Sequence, residues 1–471
     1  MTGTGALRHV ARIMITGTAA AGALYPGVVP AQADTGAGVG IAADGAYLRS
    51  ANQPSLNANG RFVVFQSDAD DLVPGDTNAG VDVFVRDTST ARTERVSVSS
   101  SGEQAMTGTV WAARADPDAI SGNGRWVVFT SPAGNLTPPD TNDSGDVFVR
   151  DRWTHTTRRV SVGPGGIQAD GESRSPRISG NGRYVLFQSW ATNLIAGRSY
   201  TSGLYIHDLW TGLNRRVDVD PAGGPANSWL IEDTAITTDG RYVLFVSQAT
   251  NLVPGDTNDR PDVFLRDLRR RVTERVNVSS SGEQANAADQ APAPTPDFYR
   301  IAAVSGDGRY VAFSSQATNL GGAAQDNLPN NLYLRDRWNH RTVRLIDGEN
   351  GFIFDPTLST NGSTLLFAAP RTMRRPQPAP GSRDSRYVAY AIGHGYLTWI
   401  PEPPGSAPTV AGTGRSISPQ ARGPLLGPTP PAIDADADRI AYVAGGVYLN
   451  NRSDDSVLPV SLPNDATQAS P

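Results

Sequence analysis

The sequence contains no cysteine and no lysine, and only five of its 471 residues are histidines. The absence of cysteine excludes disulfides, thiolate nucleophiles and cysteine-ligated metals. All 41 basic residues are arginines, which excludes a Schiff-base lysine or a lysine general base. The net charge of −5 argues against a nucleic-acid-binding protein.

Long apolar stretches are absent beyond the N-terminus, so we predict no membrane span. Arg8 and Arg12 precede a mostly apolar stretch at 13–29, and Ala31-Gln32-Ala33 follows it. This order is typical of a signal peptide at 1–33, cleaved near Ala33. We therefore expect a secreted or extracytoplasmic protein whose folded domain spans 34–462, with a disordered tail at 463–471.

Glycine and proline are abundant, at 49 and 35 residues, which favours many short elements joined by turns. A repeated unit confirms this pattern. Its first marker is an Asn-Gly or Asp-Gly turn followed by Arg, an aromatic residue and an apolar strand. The five clear copies place the turn glycine at Gly60, Gly124, Gly182, Gly240 and Gly308.

Two further strands follow each marker and one short segment precedes it. Examples in the first unit are Asp82–Asp87 and Arg95–Val98. Four short antiparallel strands per unit are typical of a β-propeller blade, so we predict an all-β chain forming a single propeller. Clear repeats cover 55–346 and degenerate ones 352–461, which favours seven blades. Six or eight stay open, because Tyr387 could begin a blade of its own.

The repeat resembles that of the TolB-like propeller family, whose WD-like unit has a Pro-Asp-Gly-type turn before an apolar strand. Members of that family bind proteins, act as periplasmic scaffolds, or supply a propeller to peptidases and polysaccharide lyases. The resemblance therefore implies an exported, monomeric, non-catalytic scaffold with a protein partner in the envelope or outside the cell. No appended catalytic domain is recognisable in the sequence.

Two other functions remain open. One is an enzyme, a glycan lyase or hydrolase acting at the mouth of the propeller channel; two carboxylates would suffice for a hydrolase. The other is a glycan-binding propeller, in which Trp190, Trp229 and Trp399 would serve as stacking platforms.

The candidate ligand-binding residues lie at the channel mouth. The first strand of a propeller blade lines the central channel, and charged residues occur there irregularly along an otherwise regular repeat. These positions are Asp118, Arg177, Asp233, Arg300 and Asp355. A solvated channel wall is the alternative interpretation.

A polar loop recurs between the first two strand markers in three units. Its oxygen-bearing residues are spaced as calcium ligands can be, although the distal glutamate of an EF-hand is missing. Asx turns, in which these side chains bond the backbone of their own loop, are the alternative. No cofactor is required, and calcium is the possible one. The candidate ligands are Asp76, Asn78, Asp82, Asp140, Asn142, Asp146, Asp256, Asn258 and Asp262.

Histidine and serine give no catalytic pattern. Ser131 and its equivalents Ser189, Ser247 and Ser315 recur at one strand end, whereas a nucleophile is normally unique and has a base beside it. His155 and His340 occupy equivalent hairpin tips. We predict no catalytic residue, and we expect the aromatic residues at 62, 126, 184, 242 and 310 to pack between blades.

Overall fold

The computed structural model describes residues 52–78, 80–106, 113–200, 202–228, 230–286, 301–321, 331–346, 354–368, 387–392, 397–399, 431–443, 447–453 and 456–460. Within these residues the chain forms seven successive antiparallel sheets. Six of the sheets have four strands and one has three. The predicted all-β propeller of seven blades is confirmed, and the alternatives of six and eight blades are wrong.

Blade 1 shows the common plan. Its strands are β1 (Asn52–Leu56), β2 (Phe62–Ser67), β3 (Asp82–Asp87) and β4 (Arg92–Arg95), and each pairs with the next. In register, Val64 of β2 faces Val85 of β3, and Phe65 faces Phe84. We call the four strand positions of a blade first to fourth, from the channel outwards.

Blades 2 to 5 repeat this plan. Blade 2 has three strands, and the bridges Arg114–Thr130 and Ile120–Val127 stand where its first strand would be. A short 3-10 helix, Pro164–Gly166, lies between blades 2 and 3. The strands are β5 (Trp126–Ser131), β6 (Asp146–Asp151), β7 (Thr156–Arg159); β8 (Ser173–Ile178), β9 (Tyr184–Ser189), β10 (Gly203–Asp208), β11 (Leu213–Arg216); β12 (Leu230–Ile236), β13 (Tyr242–Ser247), β14 (Asp262–Asp267), β15 (Val272–Arg275); β16 (Ala302–Val304), β17 (Tyr310–Ser315), β18 (Asn331–Asp336), β19 (Arg341–Ile346).

The degenerate repeats form blades 6 and 7. Tyr387 begins the third strand of blade 6 and does not open another blade. The strands are β20 (Phe354–Leu358), β21 (Thr364–Ala368), β22 (Tyr387–Ala391), β23 (Leu397–Trp399); β24 (Ala432–Ile433), β25 (Arg439–Val443), β26 (Val447–Asn451), β27 (Ser456–Pro459). Blade 7 thus uses four strands of its own. The predicted signal peptide at 1–33 and the predicted tail at 463–471 lie outside the described residues.

The core lies between the blades, because each blade buries both faces against its neighbours. The second and third strands are therefore almost continuously buried, as in β13 and β14. Aromatic rings stack across these two strands, with Phe65 and Phe84 centroids 5.7 Å apart and Phe245 and Phe264 also 5.7 Å apart. Such offset pairs add to the free energy of apolar burial.

The turn glycines are required where neighbouring blades meet. Gly240 has a φ of +69°, and a Cβ added there would lie 2.2 Å from Cδ2 of Tyr184 in the preceding blade. A larger residue would therefore be strained and would clash. The same contact recurs as Phe62–Gly124, Trp126–Gly182, Tyr242–Gly308 and Tyr310–Gly362. The prediction that these aromatic residues lie between blades is confirmed.

The ring closes between blades 7 and 1. Arg439 of blade 7 takes the place of the aromatic residue, and its side chain covers Gly60 of blade 1. The N–H of Ala435 donates to the carbonyl of Ala58 at 3.0 Å, and the N–H of Ala58 donates to the carbonyl of Gly122 at 3.1 Å. Blades 7 and 1 are thus joined by the same kinds of contact as the other neighbouring blades.

The two faces of the ring differ. The turns after the first strands and the hairpins after the third strands share one face, as the bonds from Arg61 to Asp87 show. The remaining loops share the other face, where the N–H of Thr77 donates to Gln104. We call these the turn face and the loop face. In the described part of the chain, no helix is long and apolar enough to cross a membrane.

Candidate functional site

The ring has a central channel. The first-strand segments of all seven blades line it, mostly with small and apolar residues. Among the described lining residues, Asp118 is the only titratable side chain. Its side chain is 42% exposed, and its φ of +60° is unusual for a residue other than glycine.

Arg177, a predicted channel residue, is buried between blades. Its guanidinium donates to Thr234 Oγ1 at 2.9 Å and to the carbonyl of Pro117 at 2.9 Å. Its Nη1 also lies 3.4 Å from the carboxylate of Asp118. The residue therefore joins blades 2, 3 and 4 and fixes the position of Asp118, while only 5% of its own surface is exposed.

The other predicted channel residues have different positions. Asp233 is 2% exposed, and one of its carboxylate oxygens accepts from the N–H groups of Ile301 and Ala302 at 2.6 and 2.7 Å. Asp355 is completely buried. Arg300 lies outside the described residues. The structure thus brings Asp118 and Arg177 together and places Asp233 and Asp355 within the wall. Ligand binding by this set stays a prediction.

The candidate calcium loops lie on the loop face. In blade 1, Arg95 Nη1 lies 2.9 Å from Asp76 Oδ1 and 3.5 Å from Asp82 Oδ2. The amide of Asn78 donates to Asp82 at 2.9 Å and to a backbone carbonyl. The arginine that begins the repeated Arg-Val-Ser-Val segment is therefore the partner of the loop carboxylates. The sequence could have indicated this pairing, because the arginine recurs in each blade that has an aspartate equivalent to Asp82.

Blades 2 and 4 repeat this arrangement. Arg159 Nε lies 2.9 Å from Asp146, and Gln168 Nε2 lies 2.7 Å from both Asp140 and Asp146. In blade 4, Arg275 Nη1 lies 3.2 Å from Asp256 and 3.1 Å from Asp262. The amides of Asn142 and Asn258 donate to backbone carbonyls. The described residues contain no cluster of three His, Cys, Asp or Glu arranged to hold a metal. Calcium binding stays a prediction.

Burial perturbs the acid–base chemistry of these loops. It raises the pKa of Asp146 to about 6, although hydrogen bonds from Ser161 and Gln168 and the charge of Arg159 oppose the shift. Burial also raises the pKa of Asp82 and Asp76, against the attraction of Arg95. A carboxyl with a pKa near 6 is a catalytic candidate in principle, but Asp146 is 1% exposed and is engaged by Arg159, Ser161 and Gln168.

Histidines and serines have structural contacts in the described residues. Ser131 Oγ accepts from the N–H of Ala133 at 3.1 Å, and Ser189 Oγ accepts from Ala191 in the same way. His207 Nδ1 lies 2.7 Å from Asn214 Oδ1, and burial lowers its pKa. His155 and His340 sit at hairpin tips with φ of +55° and +50°. His394 lies outside the described residues.

Of the three tryptophans expected to stack on sugars, the structure describes the side chain of Trp190. Trp190 is half-buried beneath the guanidinium of Arg174, 4.6 Å from the ring centroid. Trp229 and the side chain of Trp399 lie outside what the structure describes. Three others are 61–73% exposed at one repeat position on the turn face: Trp153, Trp210 and Trp338. Each of them follows Asp-Arg or Asp-Leu in the sequence, and this shared position could have indicated their common location.

Comparisons with known proteins support the fold. No protein-family model and no curated protein matches the chain. TolB from Acinetobacter baumannii is 14% identical, with 85% of this chain and 80% of that one covered and a TM-score of 0.38. The propeller domain of the trilobed protease from Pyrococcus furiosus is 11% identical over 89% and 99%, with a TM-score of 0.48. An oligogalacturonate lyase in complex with manganese is 11% identical over 84% and 87%, with a TM-score of 0.50. At 11% identity, the likeness to the lyase shows the propeller fold alone.

Proposed function

We propose that this chain is an exported, non-catalytic β-propeller, a monomeric scaffold that binds a protein partner in the cell envelope or outside the cell. The observation that carries the proposal is the single carboxylate in the described channel lining. Asp118 stands among serine, threonine, alanine, proline, isoleucine and leucine. One charge among apolar and hydroxyl groups is typical of a binding site.

Catalysis in the channel would need more than this carboxylate. Glycoside hydrolysis uses a pair of carboxyl groups, and a nucleophile needs a base beside it. Arg177, whose Nη1 lies 3.4 Å from the Asp118 carboxylate, is buried and cannot accept a proton in its charged form. This arrangement favours binding of a ligand over its cleavage.

The geometry also indicates what part of a partner would bind. Arg177 holds Asp118 at 3.4 Å but leaves 42% of its side chain exposed to the channel. A partly exposed carboxylate in a narrow channel attracts a cation, because the surrounding protein reduces solvent screening. We infer that a basic side chain or an N-terminal amine of the partner enters the channel and pairs with Asp118.

The test is crosslinked capture with the mature chain from Asp34 as bait and envelope and secreted fractions of the source cell as prey. Asp118→Asn removes the charge but fits the positive φ, which asparagine tolerates. Asp143→Asn is the matched control, since Asp143 is exposed on the loop face with a φ of +48°. Wild type and control should capture the same one or two proteins saturably.

For Asp118→Asn we expect about tenfold weaker capture, which corresponds to about 1.4 kcal/mol. Equal capture by all three proteins would contradict a role for the channel carboxylate. Retention of wall polysaccharide with no protein partner would contradict the scaffold proposal and favour a glycan-binding or glycan-cleaving propeller.

A further inference from the structure

The outer rim of the turn face carries exposed aromatic residues that the channel proposal does not use. They occupy the hairpin between the third and fourth strands in blades 2, 3 and 5. Trp153 is 62% exposed, Trp210 is 73% exposed and Trp338 is 61% exposed. Large apolar side chains at one repeated position on one face mark an interaction surface.

Each of these indoles is held in place by an arginine. The guanidinium of Arg183 lies between the rings of Tyr184 and Trp210, 4.9 and 4.5 Å from their centroids. Asp208 fixes that guanidinium through two hydrogen bonds of 3.0 and 2.6 Å. The indole is therefore packed against a fixed guanidinium and still 73% exposed. A ring ordered before binding loses little conformational entropy when a ligand stacks on it.

In blade 5 an arginine holds the tryptophan in the same way. Arg309 lies 4.6 Å from the ring of Tyr310 and 4.9 Å from that of Trp338, and it bonds to Asp336. Blade 5 also contacts blade 4 directly at this rim, because the guanidinium of Arg337 lies 4.7 Å from the ring of Tyr242.

Blade 4 lies between blades 3 and 5, and its hairpin has arginines where theirs have tryptophan. Its hairpin reads Arg269-Arg270-Arg271, and the side chains of Arg269 and Arg270 are 70% and 77% exposed. Their ion pairs are loose, at 3.7 Å to Asp239 and 4.0 Å to Asp267. Pairs this exposed contribute little, so both guanidinium groups can engage a ligand.

We propose that this rim, formed by Trp210, Arg269, Arg270 and Trp338, binds an anionic polysaccharide. The apolar C–H face of a sugar ring stacks on an open indole, and the guanidinium groups between the two indoles attract carboxylate or sulfate groups. An extended polymer can contact successive blades at once, which raises its effective affinity without requiring a deep pocket. The proposal does not depend on the channel or on a protein partner.

The site is tested by affinity electrophoresis of the full chain in gels containing alginate, dextran sulfate or neutral dextran. Polyaspartate, an anionic polymer without sugar rings, serves as a soluble competitor. The variants are Trp210→Ala/Trp338→Ala and Arg269→Gln/Arg270→Gln. The apolar control is Ile167→Ala, whose side chain is 65% exposed beside the 3-10 helix and outside the rim. The charge control is Arg92→Gln/Arg198→Gln, which removes two exposed arginines elsewhere. Melting curves verify that each variant is folded.

We expect alginate or dextran sulfate to retard the wild type and both controls, and neutral dextran to retard none. Binding should weaken at least about tenfold in each rim variant, and Trp210→Phe/Trp338→Phe should restore most of it. Alginate alone would identify the anionic group as carboxylate, and dextran sulfate alone as sulfate. Stacking of sugar rings on the indoles would be overturned if polyaspartate abolished the retardation and the Trp variants were retarded as strongly as the wild type. No retardation, equal loss in the controls, or capture of a protein at this rim instead would overturn the proposal.

Discussion

The recurrent Arg–Asp pair of the turn face allows a quantitative test, and Asp151→Asn is the cleanest perturbation. Asp151 accepts from Arg125 Nε at 2.9 Å and Nη2 at 2.5 Å, and from the N–H of Trp153 at 3.0 Å. An asparagine oxygen can still accept from the Trp153 N–H, so the hairpin cap survives. What the variant loses is the ion pair with Arg125.

The pKa of Asp151 gives the magnitude. Burial opposes ionisation, but hydrogen bonds from Arg125, Thr154 and Trp153 outweigh it and lower the pKa from 3.8 to about 2. At about 1.4 kcal/mol per pKa unit, this shift corresponds to about 2 kcal/mol of stability. The side chain of Arg125 is 30% exposed, so solvent screening reduces the expected loss in Asp151→Asn to about 1–2 kcal/mol.

The pH dependence follows from the sign of the shift. A carboxyl whose pKa is lowered on folding stabilises the protein above its unfolded pKa of 3.8, and this contribution is lost as pH falls through about 2. The difference between wild type and Asp151→Asn should therefore be constant above about pH 5, fall to about half near pH 3 and nearly vanish at pH 2.

Urea denaturation of wild type, Asp151→Asn and the exposed control Asp143→Asn at pH 7, 5, 3 and 2 measures these differences. The control should stay within about 0.5 kcal/mol of wild type at pH 7. A loss below that value in Asp151→Asn at pH 7, or a loss that persists unchanged to pH 2, would refute the reasoning.

Two further predictions concern the ring contacts and the loop face. Gly240→Ala should destabilise the protein by about 2–4 kcal/mol, because an added Cβ would meet Tyr184 at 2.2 Å. Gly212→Ala, at a similar φ of +70° but with nothing within 4 Å, should cost only about 1 kcal/mol, and equal losses would contradict the clash. If the loops bind calcium, the mature protein should melt at a higher temperature in calcium than in chelator. Identical melting temperatures would remove the calcium prediction and leave Arg95, Arg159 and Arg275 as the partners of the loop carboxylates.

The fold could be predicted because the repeat encodes it locally. Asn-Gly and Asp-Gly turns need a positive φ, and the structure has φ of +63° at Gly60 and +73° at Gly308. The apolar strand after each turn is buried on both faces, which only packing between blades can supply. The weak sixth and seventh blades kept the turn chemistry in Asn361-Gly362 and in Ala437, whose φ is +68°.

The channel residues were harder to predict because the first strands are irregular. Register shifts occur between Arg174 and Arg177, between Ile231 and Thr234, and between Phe354 and Thr357. The shift adds one residue in blades 3 and 6 and two in blade 4, and in a strand a one-residue shift moves a side chain to the opposite face. Arg177, Asp233 and Asp355 lie in or beside these shifts, and all three are buried. Counting residues back from the turn could not reveal this.

On the turn face, some residues recur because they stabilise the fold, whereas others recur without such a role. The Asp–Arg pairs recur in five blades and hold hairpins in place, so their recurrence indicates a structural role. Trp153, Trp210 and Trp338 recur too, yet their side chains contribute little to the core because most of their surface is exposed. A residue that repeats without being buried is not explained by packing. Among the hairpins that the structure describes, arginine replaces this tryptophan in blade 4, between two blades that carry it. This difference distinguishes the arc of blades 3 to 5, and binding specificity would arise there.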